Sequence, residues 1–356
     1  MALIDLRSDT LSKPTPDMLQ SMAAATLGDD SRDGDPTVRE LEAEAAQLLG
    51  KDAALLTVSG TMSNTVALRT HAEPGGAAVV EESAHVYGME HGSIASACGL
   101  LAMPIRGHRG APDLDAVRWA IRRARTLFPA SGLVCLENTH NAAGGAVLTP
   151  AQIDGVAEAA HQGGFAVHLD GARLFNAAVA LGVDARELTR SVDSVSVCLS
   201  KGLSAPIGSL LAGPKAFIER ANRVRRAFGG AMRQAGILAA LGLVALRTMI
   251  PRLAEDHDNA RRFARAVAGV PGLSVDLSAV QSNIVHVDVG GLGIEAAAFA
   301  AHLREWGVRG LPGMGSSMRF VTYRGITRAD VEEAARAAAA LVEARPWAAR
   351  GSVERG

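Results

Sequence analysis

The sequence predicts an α/β fold in which a mostly parallel sheet is covered on both faces by helices. Short, continuous apolar runs recur along the chain: Leu55–Val58, Ala77–Val80, Leu133–Leu136, Ala166–Leu169 and Val192–Leu199. Helical patterns separate them, and uninterrupted apolar strands between helices belong to sheets buried on both sides. Each run also gives way at once to small or polar residues: SGTMSN, EESAH, ENTHN, DGAR and SKG. In open α/β sheets ligands gather beyond the carboxyl ends of the strands, where these tails would sit.

The remaining elements follow from local chemistry. In DPTVRELEAEAAQLLG, Asp35 suits an N-cap, Pro36 the first helical position and Gly50 the stop. Val38, Leu41, Ala45 and Leu48 fall on one helical stripe between them. Beyond about residue 250 the pattern changes. A helix over about 252–268, short strands around Leu273–Leu277 and Asn283–Val289, and a helix from about Glu295 come first. A strand at Met318–Tyr323 and an Ala-rich helix over about 328–343 follow. The expected organisation is a large domain over 16–250 and a smaller α+β domain over 251–345. Segment 1–15 would join the smaller domain, and 346–356 would form a mobile tail.

Composition narrows the function. With 356 residues, 48% of them hydrophobic, the chain can bury a substantial core. Its 36 Lys and Arg against 37 Asp and Glu leave a formal charge of -1, which argues against nucleic acid or an anionic membrane as partner. No apolar run reaches the roughly 18 residues of a spanning helix, and MALIDLRSDTLSK lacks the pattern of a signal peptide. Cys98, Cys135 and Cys198 stand in apolar surroundings without a CxxC pair, as expected of buried thiols in a reducing compartment. A cytoplasmic protein is the expectation. HExxH, P-loop and GxSxG elements are absent, and GGLG at 290–293 lacks the last glycine of a dinucleotide fingerprint. No metal is expected.

Lysine is scarce, at four residues against 32 arginines. Lys13, Lys51 and Lys215 fall where an exposed charge is expected, whereas Lys201 ends the apolar run SVDSVSVCLS. A half-buried amine loses hydration and becomes a better nucleophile; alone, such a residue reads equally as a lysine snorkelling at a strand end. Asp170, directly after a buried strand, reads alone as a turn cap. With Lys201 on a neighbouring strand it could instead keep a pyridine nitrogen protonated, as pyridoxal phosphate (PLP) enzymes require. SGTMSN at 59–64 is a strand-to-helix turn whose free amides and helix dipole suit a phosphate, though many such turns look alike. His85 and His140 both follow predicted strands and could stack on a ring or move protons. A lone histidine is more often structural, but two beside a Lys/Asp pair point to a site. His168 should face the core by strand alternation, and the other histidines look like surface positions.

Taken together, these residues resemble the low-specificity L-threonine aldolases, PLP enzymes of the aspartate-aminotransferase-like group (fold type I). The likeness runs from DLRSDT (5–10) through GDD, DPTV, SGTMSN, ENTHN, HLDGAR, CLSKGL and MRQAG to RFVT (319–322). It implies a seven-stranded, mostly parallel sheet. It also implies a homo-oligomer, a dimer of dimers, with active sites at subunit interfaces. Lys201 matches the lysine that carries PLP, Asp170 the partner of the pyridine nitrogen and His85 the histidine stacked on the ring. Ser59, Gly60 and Thr61 match the phosphate-binding turn. Arg233 matches an arginine reaching the phosphate from the neighbouring subunit, and Arg226 stands where the family usually has lysine. Ser8, Arg173 and Arg319 match the groups that hold the substrate carboxylate, a task suited to guanidinium. Arg173 also counts among the cofactor-binding residues. His140 matches a second histidine near the substrate β-hydroxyl.

The implied reaction is reversible cleavage of L-threonine, L-allo-threonine and related β-hydroxy-α-amino acids to glycine and an aldehyde, with His85 or His140 as base. The rival readings are another fold-type-I reaction such as β-elimination, an aldolase specialised for another β-hydroxy amino acid, and a catalytically silent binding module. Two departures bear on the substrate. Where the family usually reads GDDVYGEDPTV this chain reads GDDSRDGDPTV, so Arg32 replaces a tyrosine. Arg32 is either a solvated loop charge or a group favouring an anionic or polar β-substituent. The usual VTH is VTY, with Tyr323 followed by Arg324.

Overall fold

The computed structural model describes residues 3–127 and 131–347. The chain divides into two compact units, Ser12–Leu253 and a smaller one built from Met1–Leu11 and Ala254–Gly356.

The larger unit is organised by seven strands: β1 (Ala53–Thr57), β2 (Ala77–Glu81), β3 (Leu101–Ile105), β4 (Gly132–Glu137), β5 (Ala166–Asp170), β6 (Ser194–Cys198) and β7 (Ser209–Gly213). Their order across the sheet is β1-β7-β6-β5-β4-β2-β3. Only β7 runs against its neighbours. The carboxyl ends of β1, β2, β4, β5 and β6 therefore share one edge of the sheet. All five expected runs are strands. The two that the pattern did not announce have physical reasons to be faint. Strand β3 is an edge strand containing Pro104, with Leu101 exposed. Strand β7, SLLAG, ends in Ala-Gly and follows a connection broken by Gly202, Pro206 and Gly208, which masks its short apolar run.

Helix Pro36–Leu48 forms as its sequence predicts. Asp35 accepts from the amides of Thr37 and Val38 (3.0 and 3.1 Å), and Gly50 takes a positive φ of 59° just past the end. Val38, Leu41 and Ala45 are buried on its inner face, where they join a core that includes Leu56, Val134, Leu169 and Leu210 from the sheet. Lys51, expected at the surface, instead donates Nζ hydrogen bonds to the carbonyls of Thr189 and Val192 (2.7 and 2.6 Å).

The smaller unit pairs strand Ile4–Asp5 with Val308–Arg309 in parallel. A three-stranded antiparallel sheet joins Ile284–Asp288, Ser317–Val321 and Leu311–Pro312. Its core gathers Leu6, Phe263, Phe299, Phe320 and Leu341. The expected strand at Leu273–Leu277 does not form. Ser274 makes a single bridge to Asp288, and the Asp276 carboxylate captures the Ser278 amide to open a 3-10 turn at Leu277–Ala279. That local bond competes with strand pairing. Of the expected mobile tail, Trp347 packs against this core, and 348–356 lie outside the described residues.

Three histidines expected to be polar surface groups are not. His257 is fully buried, and burial pushes its pKa down to about 4. His71 stacks on Phe217 with ring centroids 4.3 Å apart, and its Nε2 lies 2.7 Å from Ser194 Oγ. His286 is half-buried on strand Ile284–Asp288. His168 is buried, as strand alternation predicts, and meets the same hydroxyl through Nδ1 at 2.8 Å. Burial pushes His71 down to about 3 and His168 down to about 4, so both are neutral in the folded chain near neutral pH.

The sign of the resulting pH dependence is fixed. A histidine whose folded pKa lies below its unfolded value of about 6.5 contributes stability above that pH and loses it as the pH falls toward the folded value. Glu42 works the other way, because burial pushes its carboxyl up to about 7 and proton uptake then favours the folded chain. The contribution of His168 is isolated by comparing wild type with His168→Asn. Between pH 7 and pH 5 the wild type should lose about 2 kcal/mol more unfolding free energy than the variant, measured by urea denaturation. Equal losses would contradict the buried neutral imidazole.

Candidate active site

Residues from three strand ends, β2, β5 and β6, and from the helix start after β1 meet in a cavity of about 160 Å³ in the larger unit. It is lined by Lys201, Asp170, His85, Gly60 and Thr61 together with Asn64, Glu90, Ala172, Cys198 and Ser200.

Lys201 follows β6 and is half-buried. Its carbonyl accepts from Ser12 Oγ at 2.7 Å and from the Ser204 amide at 2.9 Å, which pins the turn that carries the amine. Asp170 is the last residue of the adjacent parallel strand β5. Only 2% exposed, its carboxylate accepts from Asn64 Nδ2 at 2.8 Å and from the Ala172 amide at 3.0 Å. The lysine and the acid thus reach one cavity from neighbouring strands, as the sequence suggested.

Beyond β1, Ser59 caps helix Gly60–His71 by accepting from the Met62 amide at 3.2 Å. Gly60 and Thr61, in the open first turn, line the cavity, where the helix amides and dipole favour an anion. A Cβ at position 60 would stand 2.7 Å from Cys198 Sγ, so glycine lets the helix start pack against the end of β6. The three cysteines are free and buried, and burial pushes the thiols of Cys98, Cys135 and Cys198 up. They act as packing groups.

His85 opens a short helical turn after β2. Glu137 Oε2 accepts its backbone amide at 2.7 Å, and its Nδ1 lies 3.0 Å from Glu90 Oε1. The Glu90 contact holds the imidazole pKa above its ordinary value against the opposing effect of burial, with Asp170 and Glu137 adding to the rise.

His140 is placed differently from expectation. It is fully buried and absent from the cavity wall. Its Nδ1 accepts from the Ala143 amide at 3.3 Å, and its Nε2 lies 3.2 Å from Glu81 and 3.6 Å from Glu137. Burial opposes its charge, but these carboxylates outweigh that and hold its pKa up. Gly110, at φ 80°, lies so close to the His140 ring that any side chain there would overlap it. The packing fixes His140 as a buried ionic centre behind the strand ends.

The arginines spread out. Arg173 follows Asp170 by three residues, is buried and donates to Asn141 Oδ1 at 3.2 Å. Arg226 donates to the Ser31 carbonyl at 3.2 Å and Arg233 to the Ser31 hydroxyl, so both pack on the loop at 29–35, and neither lines the cavity. Arg32, on the same loop, is 80% exposed and pairs with Asp29 at 3.6 Å, the solvated-charge alternative. Ser8 and Arg319 belong to the smaller unit. There Ser8 Oγ accepts from Thr10 Oγ1 at 2.9 Å, and Arg319 donates to the Arg7 carbonyl at 3.1 Å.

Asn64, Glu90, Glu81 and Glu137 were not singled out in the sequence. Asn64 stands one helical turn after Gly60 and so shares its face. Glu90 lies five residues after His85 in a stretch that reads as an ordinary loop. Among the described residues His85, Glu90 and Asp170 bring one donor atom each within 4.8 Å of the others, a spacing a cation could use. Asn64 and the imidazole already engage those oxygens, so the cluster reads as one that holds protons.

Known proteins resemble this chain over most of its length. The beta-eliminating lyase family model matches residues 5–289. Low-specificity L-threonine aldolase 1 of Arabidopsis thaliana is 40% identical over 336 residues, covering 93% of this chain and 94% of that one. The low specificity L-threonine aldolase of Escherichia coli K12 is 40% identical over 334 residues, covering 94% and 97%. Among solved structures, a threonine aldolase from Leishmania major superposes with a TM-score of 0.79 over 95% of this chain and 99% of its own, at 18% identity. The fold is that of the fold-type-I enzymes, and the chain belongs to the beta-eliminating lyase family, within its low-specificity L-threonine aldolases.

Proposed function

We propose that the chain is a carbon–carbon lyase that cleaves L-threonine, L-allo-threonine and related β-hydroxy-α-amino acids to glycine and an aldehyde, with PLP as cofactor. The observation that carries this reading is the convergence of Lys201, Asp170, His85 and the helix start at Gly60–Thr61 on one cavity. The donor set fits the cofactor. There is an amine for its carbonyl, a buried acid for its ring nitrogen, open helix amides for its phosphate and an imidazole for its ring. Bound there, PLP would withdraw electrons from the substrate Cα and make the Cα–Cβ bond cleavable.

The protein residues do the rest. Asp170, fixed by Asn64 and the Ala172 amide, would face the ring nitrogen and hold its proton there. Arg173, three residues after Asp170 and held by Asn141, takes the substrate carboxylate. His85 Nε2 receives the β-hydroxyl proton as the C–C bond breaks and the aldehyde leaves; a proton returned to Cα completes glycine. His140, buried on Glu81 and Glu137, supports the backbone that carries this edge of the sheet, which favours His85 as the base.

The test is to incubate the PLP-loaded protein with L-threonine and measure acetaldehyde and glycine. Equal amounts of both are expected. Ammonia and 2-oxobutyrate would instead establish β-elimination, the reading that the family model's description favours. Lys201→Ala should abolish turnover, and His85→Asn should lower kcat about 10²–10⁴-fold, the usual contribution of a general base. An unchanged His85→Asn rate would remove that assignment.

We also propose a cytoplasmic homotetramer whose sites are shared between subunits. Among the described residues no single helix is long and apolar enough to cross a membrane, and three free buried thiols suit a reducing compartment. Arg226 and Arg233 contact the Ser31 loop and do not line their own cavity, which supports their reaching a partner's phosphate. Mixing inactive Lys201→Ala chains with inactive Arg233→Ala chains should then restore activity. Hybrid dimers rebuild one intact site, giving about a quarter of wild-type activity after random reassortment. No recovery would place Arg233 in its own chain's site or outside any site.

A further inference from the structure

Glu90 is a buried carboxylate that the reaction above leaves unused. Its side chain is 1% exposed, yet it stands in the cavity wall. One oxygen, Oε1, accepts from Asn64 Nδ2 at 2.9 Å and lies 3.0 Å from His85 Nδ1; the other, Oε2, is buried without a hydrogen-bond partner. Burying a carboxylate is expensive unless it is paired, so a protein that needed only packing here would be better served by an apolar side chain.

We propose that Glu90 is the positioning residue of the catalytic histidine: its carboxylate holds the proton of His85 Nδ1, which leaves Nε2 as the nitrogen presented to the substrate. This rests on the reading of His85 as the base. The geometry supplies both halves of the device. The Glu137 contact with the His85 amide fixes where the imidazole is rooted, and the Glu90 contact fixes its rotation and tautomer. Asn64 then fixes Glu90, because the same amide group also donates to Asp170 Oδ2. The Asn64 orientation is itself set, since its carbonyl accepts from Ser196 Oγ at 2.8 Å and from His168 Nε2 at 3.1 Å.

The charges around the pair are those of Asp170 and Glu137 on the strand ends and Lys201 across the cavity; the neutral thiols of Cys98 and Cys135 stand near Glu90. Burial raises the Glu90 pKa while contact with Glu90 raises that of His85, so both directions say that the pair keeps one proton to higher pH. The cost of a more basic imidazole is that it must lose that proton before it can act.

Glu90→Gln keeps the shape and an oxygen for Nδ1 but removes the charge. In the holoenzyme the acid-side apparent pKa of kcat/KM for L-threonine should fall by about one unit. The weaker base should lower kcat by about tenfold to a hundredfold. A kcat/KM profile whose acid limb does not move, whether or not the rate changes, would overturn the proposal and leave Glu90 a structural residue. The second measurement needs no turnover and no Glu90 variant: ¹⁵N-histidine NMR of the wild-type holoenzyme, with the His85 signals assigned by their loss in His85→Asn. A proton on Nδ1 throughout the titration, with an unprotonated Nε2 at high pH, supports the proposal. The opposite tautomer overturns it, even if the protein proves to cleave threonine.

Discussion

Asn64 donates through one amide nitrogen to two buried carboxylates, Glu90 and Asp170. That is the constraint on which the site depends. Two carboxylates held this close in a cavity wall would repel. An amide between them offers one hydrogen to each and lets both point at the same space. The carbonyl end of Asn64 is committed to His168 and Ser196, and His168 continues through Ser194 to His71. The cavity floor is therefore one connected network, and each member has its donor and acceptor roles fixed by the next.

The sheet makes that network possible. Parallel strands put the ends of β4, β5 and β6 side by side, so residues far apart in sequence, Asn64, Asp170 and Ser196 among them, become neighbours. The helix after β1 then brings both an anion-binding start at Gly60–Thr61 and, one turn later, Asn64. The same edge carries a second ionic centre, His140 between Glu81 and Glu137. Glu137 links the two centres, because it also holds the His85 amide and the Asn141 amide at 2.8 Å.

What could be read from the sequence was what depends on local pattern. The five main apolar runs, the Asp35–Pro36 helix start and the Lys201/Asp170 pair at strand ends all have signals within a few residues. Strand β3 was hidden by its Pro104 and edge position, and the run at Leu273–Leu277 misled because Asp276 diverts the backbone into a turn. His140 looked equivalent to His85 because both follow a strand, but which way His140 faces is decided by Gly110, Glu81 and Glu137, none of which any local pattern ties to it. Glu90 was invisible for the same reason. Its burial comes from the packing of the segment after His85, and no spacing rule distinguishes it from a surface glutamate.

The proposed attachment of the cofactor to Lys201 can be tested directly. Only four lysines are present, which makes a direct chemical readout decisive. Borohydride reduction of the holoenzyme, followed by proteolysis and mass spectrometry, should place a phosphopyridoxyl group on Lys201 alone. The same group on Lys13, Lys51 or Lys215, with Lys201 unmodified, would contradict the account.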